Sequence, residues 1–279
     1  MSLRVAYQGN PGSYSDLAVR HAFPDAERIP TPNFDALIGA LQNGDVDHGL
    51  LPCENSLYGR VGGIHQLLPD SGLHIIGEHF QRVEHCLMAP RGATLADLRF
   101  AHSQDVALGQ VRRVIAELKL QEVAESDTAL SAKHVAEMND KAHAAIASEL
   151  AADIYGLSVL RRNVEDEAHN TTRFYIAARE PAWPAPDAPD IMTSFLFRVK
   201  NKPAALFSAM VGLATNGINM TKLESYMLGG QFVATQFLCE VEGHPAQPAL
   251  ARALDDMKHH ADHVRVLGVY PVSPYRRTV

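Results

Sequence analysis

Short apolar blocks along the first 180 positions end in turn-forming or helix-capping residues, and the helical and strand periods alternate. Arg4 to Gln8 predicts a strand, and Gly9-Asn10-Pro11-Gly12 turns the chain into a helix beginning near Ser13. Asn33 to Gln42 predicts a helix stopped by Asn43-Gly44, and His48 to Leu51 a short strand. From Ser103 the pattern predicts one capped helix running to about Leu118. Its residues Val111, Val114, Ile115 and Leu118 repeat with the spacing of a single buried face. Asp127-Thr128 opens another helix that ends at Asn139-Asp140. A strand over Ala142 to Ala147, a short helix closed by Gly156, and a strand over Arg173 to Ala178 follow. Such alternation predicts α/β layers with mainly parallel strands. Sheets of that kind take ligands at the carboxyl ends of strands, where loops lead into helices. Gly9 to Ser15, Pro52 to Ser56 and Ala101 to Gln104 are three such edges. Their small side chains and free backbone N–H groups suit an anionic small molecule.

The rhythm changes after Glu180. Pro181, Pro184, Pro186 and Pro189 prevent a regular helix or central strand and predict an extended linker over 181–192. Beyond it the pattern reads strand (Thr193 to Lys200), helix (Pro203 to Asn216) and strand (Ile218 to Tyr226). Gly229-Gly230 then predicts a hairpin turn into Gln231 to Glu240, followed by a helix (Pro248 to His260) and a strand (Val264 to Tyr270). The order βαββαβ over 193–271 is the ferredoxin-like plan, with 272–279 left as a tail. That plan alone specifies no function.

Composition narrows the function classes. At 279 residues the chain suits two or three compact units, and 46% apolar with 20% charged residues is ordinary globular usage. A formal charge of −7 and isolated arginine pairs argue against a nucleic-acid partner, and no apolar run is long enough to span a membrane. Cys53, Cys86 and Cys239 are odd in number and widely spaced, which points to a reducing cytoplasm. His85-Cys86 lacks further ligands at metal-binding spacing, and Gly9-x-x-Gly12 lacks the third glycine or the lysine of a nucleotide loop. No metal and no cofactor are expected.

Two segments carry candidate chemistry. Glu54-Asn55-Ser56 follows a strand and rims a cleft, although such residues most often serve turns and caps. Asn170-Thr171-Thr172-Arg173-Phe174 follows the acidic run Glu165-Asp166-Glu167, which offers Arg173 an ion-pair partner.

Taken in order, these segments resemble the prephenate dehydratase family. The matching blocks are Val5 to Ser15, Leu51-Pro52-Cys53-Glu54-Asn55-Ser56, His102-Ser103-Gln104, Ala144 to Ser148, and Asn163 through Phe174. The resemblance implies an α/β catalytic domain over 1–180. It would have two lobes like those of a periplasmic binding protein, joined near Glu78 to Met88 and near Leu157 to Leu160, with prephenate between them. It implies a monofunctional enzyme that loses the ring hydroxyl as water and the ring carboxylate as carbon dioxide, giving phenylpyruvate. Aromatisation drives that reaction, so a proton donor, carboxylate-orienting donors and an apolar wall suffice. By motif match Thr172, Glu54 and Asn55 are expected to be catalytic. Ser56, Ser103, Gln104, Thr171, Arg173 and Phe174 are expected to contact substrate. Arogenate dehydratase and a non-catalytic small-molecule sensor are the alternatives.

From Thr193 to about Tyr270 the chain is similar to an ACT domain, which implies phenylalanine feedback and a homodimer or dimer of dimers. The expected effector residues are Asn201, Ala204, Ala205, Leu206, Asn219, Met220, Glu224 and Ser225. The chain departs from that pattern at Ala204, where glycine is usual, and at Tyr226-Met227, where arginine and proline are usual.

Overall fold

The computed structural model describes residues 2–227 and 234–278. In chain order its elements begin with β1 (Arg4–Gln8), α1 (Tyr14–Ala22), β2 (Glu27–Thr31), α2 (Phe34–Asn43), β3 (His48–Asn55), β4 (Gly59–Arg60), α3 (Ile64–Leu67) and β5 (His74–Arg82). Next come β6 (Cys86–Ala89), β7 (Phe100–Gln104), α4 (Asp105–Leu108), α5 (Arg112–Leu118), β8 (Gln121–Glu125), α6 (Thr128–Met138), β9 (His143–Ala147), α7 (Glu149–Tyr155), β10 (Ser158–Arg161) and β11 (Thr171–Ala178). The last are β12 (Ile191–Arg198), α8 (Ala205–Thr215), β13 (Met220–Met227), β14 (Ala234–Glu242), α9 (Pro248–His260) and β15 (His263–Pro271).

The chain divides into two compact units, one built from Met1–His65 with His79–Phe174, the other from Gln66–Glu78 with Tyr175–Val279. The first unit has two α/β lobes. In one, the strands follow the order β11-β3-β1-β2, with β1 parallel to both β2 and β3. The other lobe is a five-stranded sheet, β10-β6-β9-β7-β8. Here β7 runs parallel to β8 and β9, while β6 and β10 pair antiparallel. The chain crosses between lobes at Val83 to His85, inside the expected stretch. The return crossing falls between Arg161 and Thr171, later than expected, because Ser158–Arg161 pairs with β6 and belongs to the second sheet.

Helix ends expected at four helices are observed, and capping accounts for them. Ser13, Asn33 and Asp127 each accept from a backbone N–H of the first turn, and Gly44, Asn139 and Gly156 close helices in the left-handed region. The helix expected from Ser103 to Leu118 is instead two. Ser103 lies inside β7, Gly109 and Gln110 form a turn, and a second helix starts at Arg112. That start is stabilised from far along the chain: Asp166 accepts from Arg112 N at 2.9 Å and Arg113 N at 3.1 Å. The apolar spacing still marks the right face, since Val111, Val114 and Ile115 are buried in the second lobe's core and Leu118 packs on it. Gly12 tolerates no side chain, because it has φ +88° and a Cβ would lie 2.9 Å from the Ala151 backbone of the other lobe.

In the second unit β12, α8, β13, β14, α9 and β15 form an antiparallel sheet, order β13-β14-β12-β15, with both helices on one face. Phe195, Phe197, Phe237, Leu213, Leu254 and Met257 fill the space beneath those helices. The opposite face carries a buried carboxylate, Glu240, which accepts from Tyr175 at 2.7 Å and Ser194 at 3.0 Å. No helix or strand lies between Ala178 and Ile191, but the linker expected over 181–192 ends two residues earlier, because Ile191 and Met192 already pair within β12. The hairpin turn expected at Gly229-Gly230 lies outside the described residues.

Candidate active site

Side chains of a strand alternate between faces, and this sorts the threonine-arginine motif of β11. Thr172 and Phe174 line a cavity of about 430 Å³ within the first unit. Thr171 and Arg173 point the other way and are buried. Arg173, only 3% exposed, donates to Glu54 Oε2 at 2.9 Å and packs over the Phe80 ring. Neither Glu54 nor Arg173 lines the cavity. The partner of Arg173 is therefore Glu54 and not the acidic run at 165–167.

Asn55, at the end of β3, organises the cavity wall. Its Oδ1 accepts from the backbone N–H groups of Leu57 (3.0 Å) and Tyr58 (3.1 Å). Those two donors are unambiguous, so the amide orientation is fixed and its NH2 points to the other side. There Nδ2 donates to Thr172 Oγ1 at 3.1 Å and to Asn170 Oδ1 at 2.8 Å. The Thr172 oxygen is thus an acceptor, and its own proton is left for a group in the cavity. A bond received on the oxygen also strengthens the hydroxyl as a donor.

The same logic runs on through the buried interior. With Oδ1 engaged, Asn170 donates Nδ2 to Gln110 Oε1 at 3.0 Å. Gln110 Oε1 is also 2.7 Å from His85 Nε2, so that nitrogen carries a proton. Gln110 belongs to the turn that splits the expected helix and lines the cavity. His85 Nδ1 lies 2.9 Å from the hydroxyl of Tyr14, which also reaches the Glu84 carbonyl at 2.9 Å. Burial lowers the pKa of His85, partly opposed by its bond to Gln110 and by Glu165, and burial pushes that of Tyr14 up. The neutral imidazole is favoured, bare at Nδ1.

The remaining expected residues divide. Gln104 lines the cavity at the head of α4. Ser103 is fully buried and donates to the Ile146 carbonyl. Ser56 donates to the His169 carbonyl at 2.9 Å and accepts from Thr171 N at 3.0 Å, tying the β3 exit to β11. Sequence reasoning passed over Tyr14, His85, Gln110, Tyr58, Arg60 and Thr128 as site residues, all of which line the cavity. Tyr14 and Thr128 begin helices just after recognised capping residues, a signal that was legible. Nothing local marks Gln110. Pro52, Val61, Val83, Val106 and Phe174 supply an apolar wall. Among the described residues no cluster of His, Cys, Asp or Glu has the arrangement to hold a metal ion.

Comparison with known proteins then decides the family. Residues 5–182 match the family model described as prephenate dehydratase. The chain belongs to the prephenate dehydratase family. A bifunctional N-acyl-homoserine lactone acylase/prephenate dehydratase of Komagataeibacter europaeus is 56% identical over 98% of this chain and 97% of its own length. Arogenate dehydratase/prephenate dehydratase 2 of Arabidopsis thaliana, a chloroplastic protein, is 38% identical over 97% of this chain and 73% of its own. The crystal structure of a prephenate dehydratase from Arthrobacter aurescens, in complex with L-Phe, superposes with a TM-score of 0.88. It is 26% identical and covers 97% of this chain and 90% of that one.

The effector residues expected in this family member lie in the second unit. Ala204, Ala205 and Leu206 sit at the start of α8, Asn219 and Met220 lead into β13, and Glu224 and Ser225 lie within it. Asn201 is in the turn before α8. Tyr226 donates to Glu224 Oε2 at 2.6 Å, and the buried Lys222 lies 3.3 Å from the same carboxylate.

Proposed function

We propose that this protein converts prephenate to phenylpyruvate, water and carbon dioxide, and that phenylalanine regulates it through the βαββαβ segment acting as an ACT domain. The observation that carries the reading is the Thr172 hydroxyl. Its oxygen is occupied by Asn55 and its proton is free to meet the leaving ring hydroxyl. Gln110 NH2 and Arg60 at the rim suit the two carboxylates, and the apolar wall of Val61, Val83 and Phe174 favours departure of one as a neutral gas. Amide groups do not relay protons, so Thr172 acts as an aligned hydrogen-bond donor and not as the end of a proton wire through Asn55.

Three buried cysteines, none of them in a disulfide among the described residues, suit a reducing, cytoplasmic setting. Exposed Phe207, Met220 and Met227 on the second unit suit a homodimer or dimer of dimers formed through it. Arogenate is the second substrate to consider, because relatives at 34–38% identity carry its name.

The test is turnover of prephenate and arogenate by purified protein, with and without phenylalanine, alongside an N-acyl-homoserine lactone because the bifunctional relative is named for that activity. Phenylpyruvate formed from prephenate and suppressed by phenylalanine is expected. A folded sample inactive on both ring substrates overturns the reading.

A further inference from the structure

We propose that Tyr14 is a catalytic proton donor in this site and that His85 is the reservoir that recharges it. The inference rests on the dehydratase reading and supplies the acid that a threonine hydroxyl cannot be.

The argument begins at the backbone. Leu57 N and Tyr58 N fix the orientation of Asn55, Asn55 fixes Asn170, and Asn170 fixes Gln110. Gln110 presents only an acceptor to the His85 ring, 2.7 Å from Nε2. His85 therefore keeps a proton on Nε2 in both charge states, and the proton that comes and goes is the one on Nδ1. Nδ1 faces the Tyr14 hydroxyl at 2.9 Å, with the ring edge-on to the phenol. A hydroxyl passes a proton on, taking one on its lone pair as it releases its own, whereas a side-chain amide does not. Among the described residues Tyr14 is the hydroxyl that meets His85 at Nδ1, the nitrogen whose proton comes and goes. It lines the same cavity as Thr172.

The step balances. In the charged state His85 Nδ1–H donates to the Tyr14 oxygen, and the Tyr14 O–H, which is given to the Glu84 carbonyl at 2.9 Å in the substrate-free site, turns from it to the ring hydroxyl of prephenate. The C–O bond breaks with its electron pair on oxygen, and that oxygen takes the Tyr14 proton and leaves as water. Tyr14 takes the Nδ1 proton, leaving neutral His85. The bond to the ring carboxylate breaks, and its electron pair enters the ring as carbon dioxide departs. Solvent reprotonates His85 before the next turnover. Thr172 holds the leaving hydroxyl in line throughout.

The groups facing His85 come from several segments. Glu165, on the return crossing, accepts from His85 N at 2.8 Å and pairs with Arg82 at 3.4 Å. Glu84 adjoins it in the chain, Cys86 begins β6, Tyr14 comes from α1, and Gln110 comes from the α4–α5 turn. Burial favours neutral His85 while Glu165 opposes it. The acid form therefore grows as pH falls below the usual histidine range.

Three variants and two readouts test this. Tyr14→Phe, at a half-buried position that keeps the ring packing, lowers kcat about 10²–10³-fold with KM changed less than threefold. His85→Gln, whose NH2 still donates to Gln110, gives a similar loss and removes the limb of the pH profile in which wild-type kcat rises with acidity. Tyr14→Trp is not expected to restore activity. Nitrogen NMR of His85, assigned by loss of its signals in His85→Gln, reports the Nε2–H tautomer at neutral pH whether or not the enzyme turns over. Wild-type turnover with an unaltered rate and pH profile in Tyr14→Phe overturns the inference, as does an Nδ1–H tautomer. Wild-type protein inactive on prephenate but showing the Nε2–H form removes the dehydratase reading and this role with it.

Discussion

Asn55→Asp changes one atom and reverses the direction of an entire hydrogen-bond chain. The new carboxylate keeps the two bonds from Leu57 N and Tyr58 N, now to a charged acceptor. It places an oxygen where Nδ2 stood, 2.8 Å from Asn170 Oδ1 and 3.1 Å from Thr172 Oγ1. Two oxygens at that distance repel, so the Asn170 amide turns over and offers its NH2. Its oxygen then faces Gln110 Oε1, so Gln110 turns as well and gives its NH2 to Asn170 and to His85 Nε2. That imidazole has to move its proton to Nδ1. Every group finds a partner again, which is why stability changes little: two neutral bonds, each about 1 kcal/mol net, are exchanged for bonds to a carboxylate of at least that worth.

The site, by contrast, is inverted. Thr172 turns its proton to the carboxylate, and Gln110 shows an oxygen to an anionic substrate in place of NH2. Losing one positioned donor costs about 10²–10³ in kcat, roughly 2.7–4 kcal/mol, and two are lost here. The expected result is a fall in kcat/KM of at least about 10³ with a melting temperature within a few degrees of wild type. Steady-state kinetics, thermal melting and the His85 tautomer by NMR are the assays. Activity within tenfold of wild type, or an unchanged Nε2–H tautomer, refutes the chain of fixed orientations.

Four further outcomes follow from the same geometry. Thr172→Val lowers turnover about 10²–10⁴-fold at unchanged melting temperature while Thr172→Ser retains most of it; equal losses in both variants contradict a hydroxyl role. Arg173→Met destabilises by about 2 kcal/mol, below the cost of breaking a fully buried pair because Glu54 is 32% exposed and water screens it. A double-mutant cycle with Glu54→Gln then shows coupling in stability, and strong coupling in KM alone argues for carboxylate binding by Arg173. Burial lowers the folded-state pKa of both His79 and His85. Their contribution is therefore full above the unfolded value of about 6.5 and is lost as pH falls through the folded values, so urea midpoints drop between pH 7.5 and 5 and do so less in His85→Gln. Ala204 holds φ +61° at the head of α8, so Ala204→Gly raises stability by about 1 kcal/mol, measured by urea unfolding.

Local rules read the elements well wherever a cap or a strong period sits in the sequence. Ser13, Asn33 and Asp127 start helices for reasons contained within four residues, and Pro248 to His260 matches its helix to the residue. The reading failed where the partner is distant. The α4–α5 break is set by Asp166, more than fifty residues downstream, and no window around Gly109 contains it. The residues between Leu57 and Phe100 have weak periods, and the strands β5 and β6 there went unread.

The site was legible by residue type but not by direction. Asn55 and Thr172 stood out as polar groups at a strand exit and a strand entry, and the structure brings them within 3.1 Å. Arg173 and Thr172 are adjacent in sequence, yet the period of two sends one to Glu54 and the other to the cavity. Which groups give protons and which receive them depends on a path that starts at two backbone amides and passes through residues 55, 170, 110 and 85. Those positions lie on four different segments, so only the folded chain closes the path. Its polarity runs one way because each amide has one oxygen and one NH2 to place. A threonine with its proton free and a histidine with Nδ1 bare are the two ends of that single constraint. Perturbing either anchor is therefore expected to change the other end, although no hydrogen bond joins Thr172 directly to His85.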